Sequence, residues 1–129
     1  MSNLTISLIQ TNLSWEDKAA NLQMLEKKIE ALQDKTEIII LPEMFSTGFS
    51  MRAKELAETM DGPTVEWMKK ISAKKKVVLT GSLIIEENGQ YFNRLIWMLP
   101  NGQFGQYDKR HCFSLAGEDK YYTPGDKRL

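Results

Sequence analysis

The stretch EIIILPEMFSTGFS (residues 37–50) contains a short apolar strand that ends at a proline and a carboxylate. A continuous apolar run of this length is typical of a strand that is buried on both faces. The first charged residue after the run is Glu43. Because ligands of α/β proteins bind beyond the carboxyl ends of the strands, Glu43 occupies the position of a candidate functional residue.

The residues before this stretch predict a βαβ unit. Alternating β-formers at residues 4–10 predict a first strand, and apolar residues at helical spacing predict a helix over residues 15–32. Ser14, followed three residues later by Asp17, is a capping-box-like start for that helix. The two strands that flank the helix are expected to be parallel neighbours.

The second half of the chain predicts a helix and then a β-meander. Residues 52–60 are weakly helical, and Pro63 suits the first turn of a helix over residues 62–76. Strands are predicted at residues 77–85, 91–99 and 103–109, and Asn88-Gly89 between the first two favours a two-residue hairpin. The sequence therefore predicts an α/β fold in one domain over residues 1–129.

Composition argues against several classes of function. The 17 basic and 17 acidic residues cancel, so nucleic acid and anionic membranes are not expected partners. The N-terminus has no signal-peptide pattern, and no segment approaches roughly 18 apolar residues, the length of a membrane span. One His and one Cys, Cys112, make a poor zinc ligand set and allow no intrachain disulfide. We therefore expect a cytoplasmic protein without a bound metal.

A second charged residue, Lys109, closes the strand predicted at residues 103–109. If the two strand ends are close, the carboxylate of Glu43 and the ammonium of Lys109 meet in one pocket. There the carboxylate can act as a general base and the ammonium can stabilise an oxyanion. On spacing alone, a structural ion pair or two surface residues explain the pattern more simply than a catalytic pair.

Two motifs, LPEMFSTGF (residues 41–49) and YDKRHCFSLAGEDKYYTPGD (residues 107–126), together resemble the nitrilase superfamily of carbon–nitrogen hydrolases. Within it the chain looks most like the ω-amidase branch, which deamidates ω-amides of 2-oxo acids such as 2-oxoglutaramate. The resemblance extends over the whole chain and implies the N-terminal half of an α-β-β-α sandwich. It also implies a small-molecule amide substrate and no cofactor.

The resemblance assigns roles to four residues. The family uses a Glu-Lys-Cys triad, whose glutamate falls on Glu43 and would take the thiol proton and later activate the hydrolytic water. The family's lysine falls on Lys109 and would help to hold the oxyanion of the tetrahedral intermediate. Glu118 matches a second glutamate that contacts base or substrate in many members. His111 is expected to brace its loop by hydrogen bonds.

The family's nucleophilic cysteine has no counterpart in this chain, because it lies further along the family sequence than Leu129. The chain is therefore expected to be a truncated domain that is inactive alone. Cys112 stands where the family usually has leucine, and we expect it to pack as a small hydrophobe and not to act as a nucleophile.

A non-catalytic alternative stays open, in which the half-domain is a binding or assembly module. In either case, loss of the second sheet would leave the strands at residues 77–85 and 91–99 with an exposed apolar face and an unpaired edge. We therefore expect a homo-oligomer, or pairing with the missing C-terminal half.

Overall fold

The computed structural model describes residues 2–33 and 35–129. In chain order its elements are β1 (Ile6–Leu8), α1 (Lys18–Glu30), β2 (Ile38–Ile40), α2 (Ala53–Leu56), α3 (Pro63–Lys75), β3 (Val78–Glu87), β4 (Gln90–Met98), β5 (Phe104–Asp108), a 3-10 turn (Ser114–Ala116) and α4 (Glu118–Tyr121). This order confirms the predicted βαβ unit, the following helix and the meander. The fold class is α/β, as the sequence predicted.

The five strands form one mixed sheet in the order β1-β2-β3-β4-β5. Strands β1, β2 and β3 are parallel, and Ile39 of β2 pairs with Ser7 on one side and Leu79 on the other. β4 is antiparallel to β3, and β5 is antiparallel to β4. Because β5 returns to the direction of β2, the segments that follow these two strands start at the same edge of the sheet.

The turn between β3 and β4 has the geometry that Asn88-Gly89 predicts. Both residues have positive φ, 53° for Asn88 and 76° for Gly89. Two consecutive positive φ angles are required by the hairpin turn whose twist matches that of the flanking strands. The flanking residues Glu87 and Gln90 are paired across the hairpin, which sets its register.

Helix α1 starts later than the sequence predicted. Its N-cap is Asp17, whose carboxylate accepts a hydrogen bond from the backbone N–H of Ala20 at 3.0 Å. Ser14 is not the cap, because its backbone N–H and carbonyl are both bonded to the side chain of Asn21. These bonds hold Ser14 in a turn before the helix, and the predicted start at residue 15 is wrong by three residues.

Helices α1 and α3 cover one face of the sheet and enclose the main core. They bury residues spaced at three and four positions, which is the period of an amphipathic helix. Full burial of each such side chain contributes roughly 1.5–3 kcal/mol, so this layer is the main source of apolar stabilisation. The helical and strand residues in contact there are Leu25, Ile29, Val65, Met68, Ile71, Ile39, Leu79, Leu83, Ile85, Ile96 and Met98.

The opposite face of the sheet, which we call the open face, is covered over only part of its area. At one end the segment after β2 and Tyr122 pack over Ile84. Leu8 is 74% exposed and Trp97 40% exposed at the other end. Strand register places further apolar side chains there that are exposed or partly exposed, namely Ile6, Ile38, Ile40, Val78, Leu95 and Tyr107.

The open face confirms the expected apolar exposure, but the exposed side chains lie only in part on the two strands that were expected to carry them. The most exposed apolar side chains there lie on β1 and β4, namely Ile6, Leu8 and Trp97, while Thr80 and Ser82 of β3 are buried. The predicted unpaired edge at β3 and β4 is wrong, because each is paired on both sides and the edge strands are β1 and β5. Within the described residues no helix has the length and apolarity needed to cross a membrane.

Candidate active site

The chain beyond β2 continues alongside β3 and carries Glu43 to the sheet edge. The backbone N–H of Leu41 donates to the carbonyl of Thr80 at 2.8 Å, and that of Phe45 donates to the carbonyl of Ser82 at 3.1 Å. Between them, the hydroxyl of Ser82 accepts from the backbone N–H of Met44 at 2.9 Å. Pro42 has no N–H to satisfy in this segment. The backbone around Glu43 is therefore anchored on both sides.

Gly81 allows this segment to lie directly on β3. A Cβ at this position would lie 2.7 Å from the ring of Phe45 and 2.9 Å from the Cβ of Leu41. Side chains do not approach so closely, so only glycine permits the observed packing.

Lys109 is brought to Glu43 by β5. Its backbone N–H donates to the carbonyl of Asn93 at 2.9 Å, which extends the pairing of β4 and β5 by one residue. Its Nζ lies 2.8 Å from Oε2 of Glu43, across 66 positions of sequence. The expected approach of the two side chains is confirmed.

Glu118 completes a group of three charges. It is the first residue of α4 and is fully buried. Oε1 of Glu118 lies 3.1 Å from Nζ of Lys109 and accepts from the backbone N–H of Phe113 at 2.6 Å. The structure thus places Glu118 beside Lys109, and the contact with base or substrate that the resemblance implied stays a prediction.

Asn93, which sequence reasoning missed, connects the two carboxylates of this group. It lies in β4 and is only 3% exposed. Its Nδ2 donates to Oε2 of Glu43 at 2.8 Å and to Oε2 of Glu118 at 3.1 Å. A polar residue inside the apolar run YFNRLIWML was the available signal, because a buried amide must find partners.

The charges at the site affect the lysine. Burial alone would lower the pKa of Lys109, but hydrogen bonds and charge attraction from Glu43 and Glu118 outweigh it and raise that pKa. The Nζ of Lys109 also lies 5.2 Å from the centre of the Phe49 ring, within cation–π distance. Lys109 is therefore held as an ammonium with fixed partners on three sides.

His111 and Cys112 lie outside this group. His111 is exposed, and its imidazole forms no hydrogen bond with any residue in 2–33 or 35–129, so the bracing expected of it is not seen. Cys112 packs at the margin of an apolar cluster that contains Met44 and Tyr122. Burial raises the pKa of the Cys112 thiol, and the charge of Glu118 raises it further against the opposing effect of Lys109. The thiol is thus less reactive than a free one at neutral pH.

A cavity of about 300 Å³ opens beside the charged group onto the open face. Its apolar walls and few polar groups are typical of a small-molecule site. Among the described residues no group of three or more His, Cys, Asp and Glu side chains is placed to hold a metal ion. The residues that line the cavity are Ile40, Leu41, Glu43, Gly81, Ser82, Asn93, Leu95, Tyr107 and Lys109.

Comparison with known proteins supplies the family. The profile of the carbon–nitrogen hydrolase family matches residues 5–129. The chain belongs to this family. Among curated carbon–nitrogen hydrolases, it is 37% identical to the omega-amidase YafV of Yersinia enterocolitica over 99% of its own length and 49% of that protein. It is 29% identical to the 2-oxoglutaramate amidase of Bacillus subtilis over 95% of its length and 49% of that protein.

A solved carbon–nitrogen hydrolase has the same fold. XC1258 from Xanthomonas campestris, a CN-hydrolase superfamily protein, superimposes with a TM-score of 0.95 at 40% identity. The match covers all of this chain and 49% of that one. The chain thus spans about half the length of the curated and solved relatives that it matches.

Proposed function

We propose that this chain carries the base and the lysine of a hydrolase that acts on a non-peptide amide, with ω-amides of 2-oxo acids as its substrates. The observation that carries the proposal is the 2.8 Å contact between Glu43 and Lys109 beside an apolar cavity. Relatives named omega-amidase and 2-oxoglutaramate amidase support the substrate class.

In the proposed reaction a thiol outside these 129 residues is the nucleophile. Glu43 takes its proton, and the thiolate sulfur forms a bond to the amide carbon. The carbonyl oxygen becomes an oxyanion, which the ammonium of Lys109 stabilises. Collapse breaks the C–N bond, and ammonia leaves with the proton from Glu43. Glu43 then takes a proton from a water, whose oxygen forms a bond to the thioester carbon. The C–S bond breaks, the acid product leaves, and the sulfur regains the proton from Glu43.

Glu118 is proposed to hold Lys109 in place and not to exchange protons, because its carboxylate is fully buried and already accepts three hydrogen bonds or ion contacts. The mechanism needs no cofactor. We further propose that the thiol-bearing segment packs on the open face, since the cavity opens there. A cytoplasmic location suits free-thiol chemistry.

The test is ammonia release from 2-oxoglutaramate by the longest in-frame polypeptide that contains this chain. A simple aliphatic amide and a nitrile serve as comparison substrates. Release from 2-oxoglutaramate at a higher kcat/KM than from the others is expected. No release from any amide would contradict the proposed activity.

The second candidate is a non-catalytic binding or assembly module. It is favoured by the open face and by Cys112, whose raised pKa does not suit a nucleophile. The intact mass of the natural polypeptide distinguishes the two candidate functions. A product that ends at Leu129 and associates through the open face would favour the module, whereas a longer product with a second cysteine favours the hydrolase.

A further inference from the structure

Asn93 connects three residues that come from three different parts of the chain. Its side-chain amide donates to Glu43 at 2.8 Å and to Glu118 at 3.1 Å. Its backbone carbonyl accepts from the backbone N–H of Lys109 at 2.9 Å. No other residue in ranges 2–33 and 35–129 forms hydrogen bonds with all three.

The amide of Asn93 can face the two carboxylates in only one orientation. Ionised carboxylate oxygens accept hydrogen bonds and do not donate them. Nδ2, with its two protons, must therefore point to Glu43 and Glu118, and both protons are used. With the amide reversed, its oxygen would face two anionic oxygens, which is repulsive.

The balance of charge shows why a neutral donor is needed here. Two carboxylates share one ammonium, so the group carries one negative charge in excess. Glu118 is fully enclosed, but the side chain of Glu43 is 50% exposed to water. The hydrogen bond from Asn93 adds a second donor to the same oxygen of Glu43 that Lys109 contacts.

We propose that Asn93 is a positioning residue for the amidase reaction, because it holds Glu43 against Lys109 at the cavity while it keeps Glu118 in register with both. The catalytic meaning of this inference rests on the proposed function. The positioning itself is testable without any enzymatic activity.

The first experiment measures the pKa of Lys109 by NMR in protein labelled with ¹³C at lysine Cε, with Lys109→Arg to assign the signal. It compares the longest in-frame polypeptide with its Asn93→Leu variant, which keeps the bulk but removes both donors. Thr80→Val is the matched control, since Thr80 is buried in β3 and its hydroxyl donates to the carbonyl of Ile96.

In Asn93→Leu we expect Glu43 to leave Lys109, so the pKa of Lys109 falls from its raised value, whereas Thr80→Val leaves it unchanged. A folded Asn93→Leu protein in which Lys109 titrates as in the wild type would overturn the inference. If Asn93→Leu does not fold, Asn93→Ser, whose hydroxyl is too short to reach both carboxylates, takes its place with the same two outcomes.

The second experiment uses the pH profile of ammonia release. Loss of hydrogen bonds to charged groups predicts a roughly 10- to 100-fold lower kcat in Asn93→Leu, with KM less affected.

Asn93→Asp keeps the shape but lacks a donor at neutral pH. At lower pH a proton on its carboxyl group restores an O–H donor, so the kcat of the Asp variant should rise relative to that of the Leu variant toward acid pH, while Glu43 affects both variants alike. Identical profiles for the two variants would contradict the positioning role. An inactive wild type refutes the proposed function alone, because the Lys109 titration stands without it.

Discussion

Glu43 and Lys109 touch at 2.8 Å, and the proposed chemistry depends on both. We expect Glu43→Gln and Lys109→Ala each to remove at least about 2.7–4 kcal/mol of transition-state stabilisation, by analogy with the loss of one oxyanion donor. The measurement is kcat/KM for ammonia release by the longest in-frame polypeptide. The control is the double variant Glu66→Gln with Lys69→Ala. These residues form a surface ion pair on α3, and their substitution should leave kcat/KM unchanged. Near-normal turnover in either site variant would contradict the roles assigned here.

Cys112 carries the thiol of this chain, and its environment predicts low reactivity at neutral pH. Its raised pKa means that little thiolate exists at neutral pH. We therefore expect iodoacetamide to modify Cys112 more slowly than free cysteine at pH 7, with the rate rising as the pH is raised above the ordinary thiol range. Mass spectrometry of the modified protein measures this.

The matching substitution is Cys112→Ala. We expect it to change kcat/KM only a few-fold and stability modestly, since Cys112 packs at the margin of an apolar cluster. An acyl adduct mapped to Cys112, or complete loss of activity with the fold kept, would make this residue the nucleophile after all.

Sequence reasoning reached Glu43 and Lys109 because strand ends are readable from hydrophobic pattern. Glu118 required the resemblance to a family, since its helix has only four residues and no pattern of its own. Asn93 was missed because its importance lies in contacts to residues 50 and 25 positions away. The hydrogen bonding expected of His111 is not seen, because its side chain is exposed. Exposure is set by tertiary packing and cannot be read from the local sequence.

At the scale of elements, the contact between β3 and the segment after β2 depends on Gly81. In Gly81→Ala the new Cβ would meet Phe45 and Leu41 at less than contact distance. We expect a loss of about 1–3 kcal/mol in unfolding free energy, the usual cost of overpacking, together with displacement of Glu43. Urea denaturation and the Lys109 titration measure the two effects.

Gly105→Ala is the control for this substitution. Gly105 also lies in a strand, but a Cβ there meets only the side chain of Trp97 at 4.0 Å. We expect no loss of stability from Gly105→Ala. Equal destabilisation by both variants would mean that the strand glycines matter through the backbone and not through the Gly81 contact.

Element types and their order along the chain were predictable because each has a local pattern: the apolar run before Pro42, Pro63 at a helix start and Asn88-Gly89 at a hairpin. The start of α1 was not predictable, because the side chain of Asn21 hydrogen-bonds to the backbone N–H and carbonyl of Ser14, seven positions earlier. The buried state of β3 on the open face was also hidden, since it depends on the segment that packs over it.

At the scale of the whole molecule, the open face predicts association of the isolated 129-residue chain. Sedimentation should show dimers, larger species or aggregates and not a compact monomer. Leu8→Lys should increase the monomer fraction, because Leu8 is 74% exposed on that face. Leu115→Lys is the matched control, since Leu115 is 90% exposed in the 3-10 turn, outside the sheet. A soluble wild-type monomer with cooperative unfolding would refute this prediction.

The cavity beside Lys109 opens onto the same face of the sheet that is available for association. A partner that packs on that face over the mouth of the cavity would supply its remaining wall. A ligand in the cavity and a partner on the face are then linked thermodynamically, and each changes the affinity of the other by the same factor. Substrate analogues should therefore increase the affinity of the partner, and loss of the partner should weaken the binding of the analogue by the same factor.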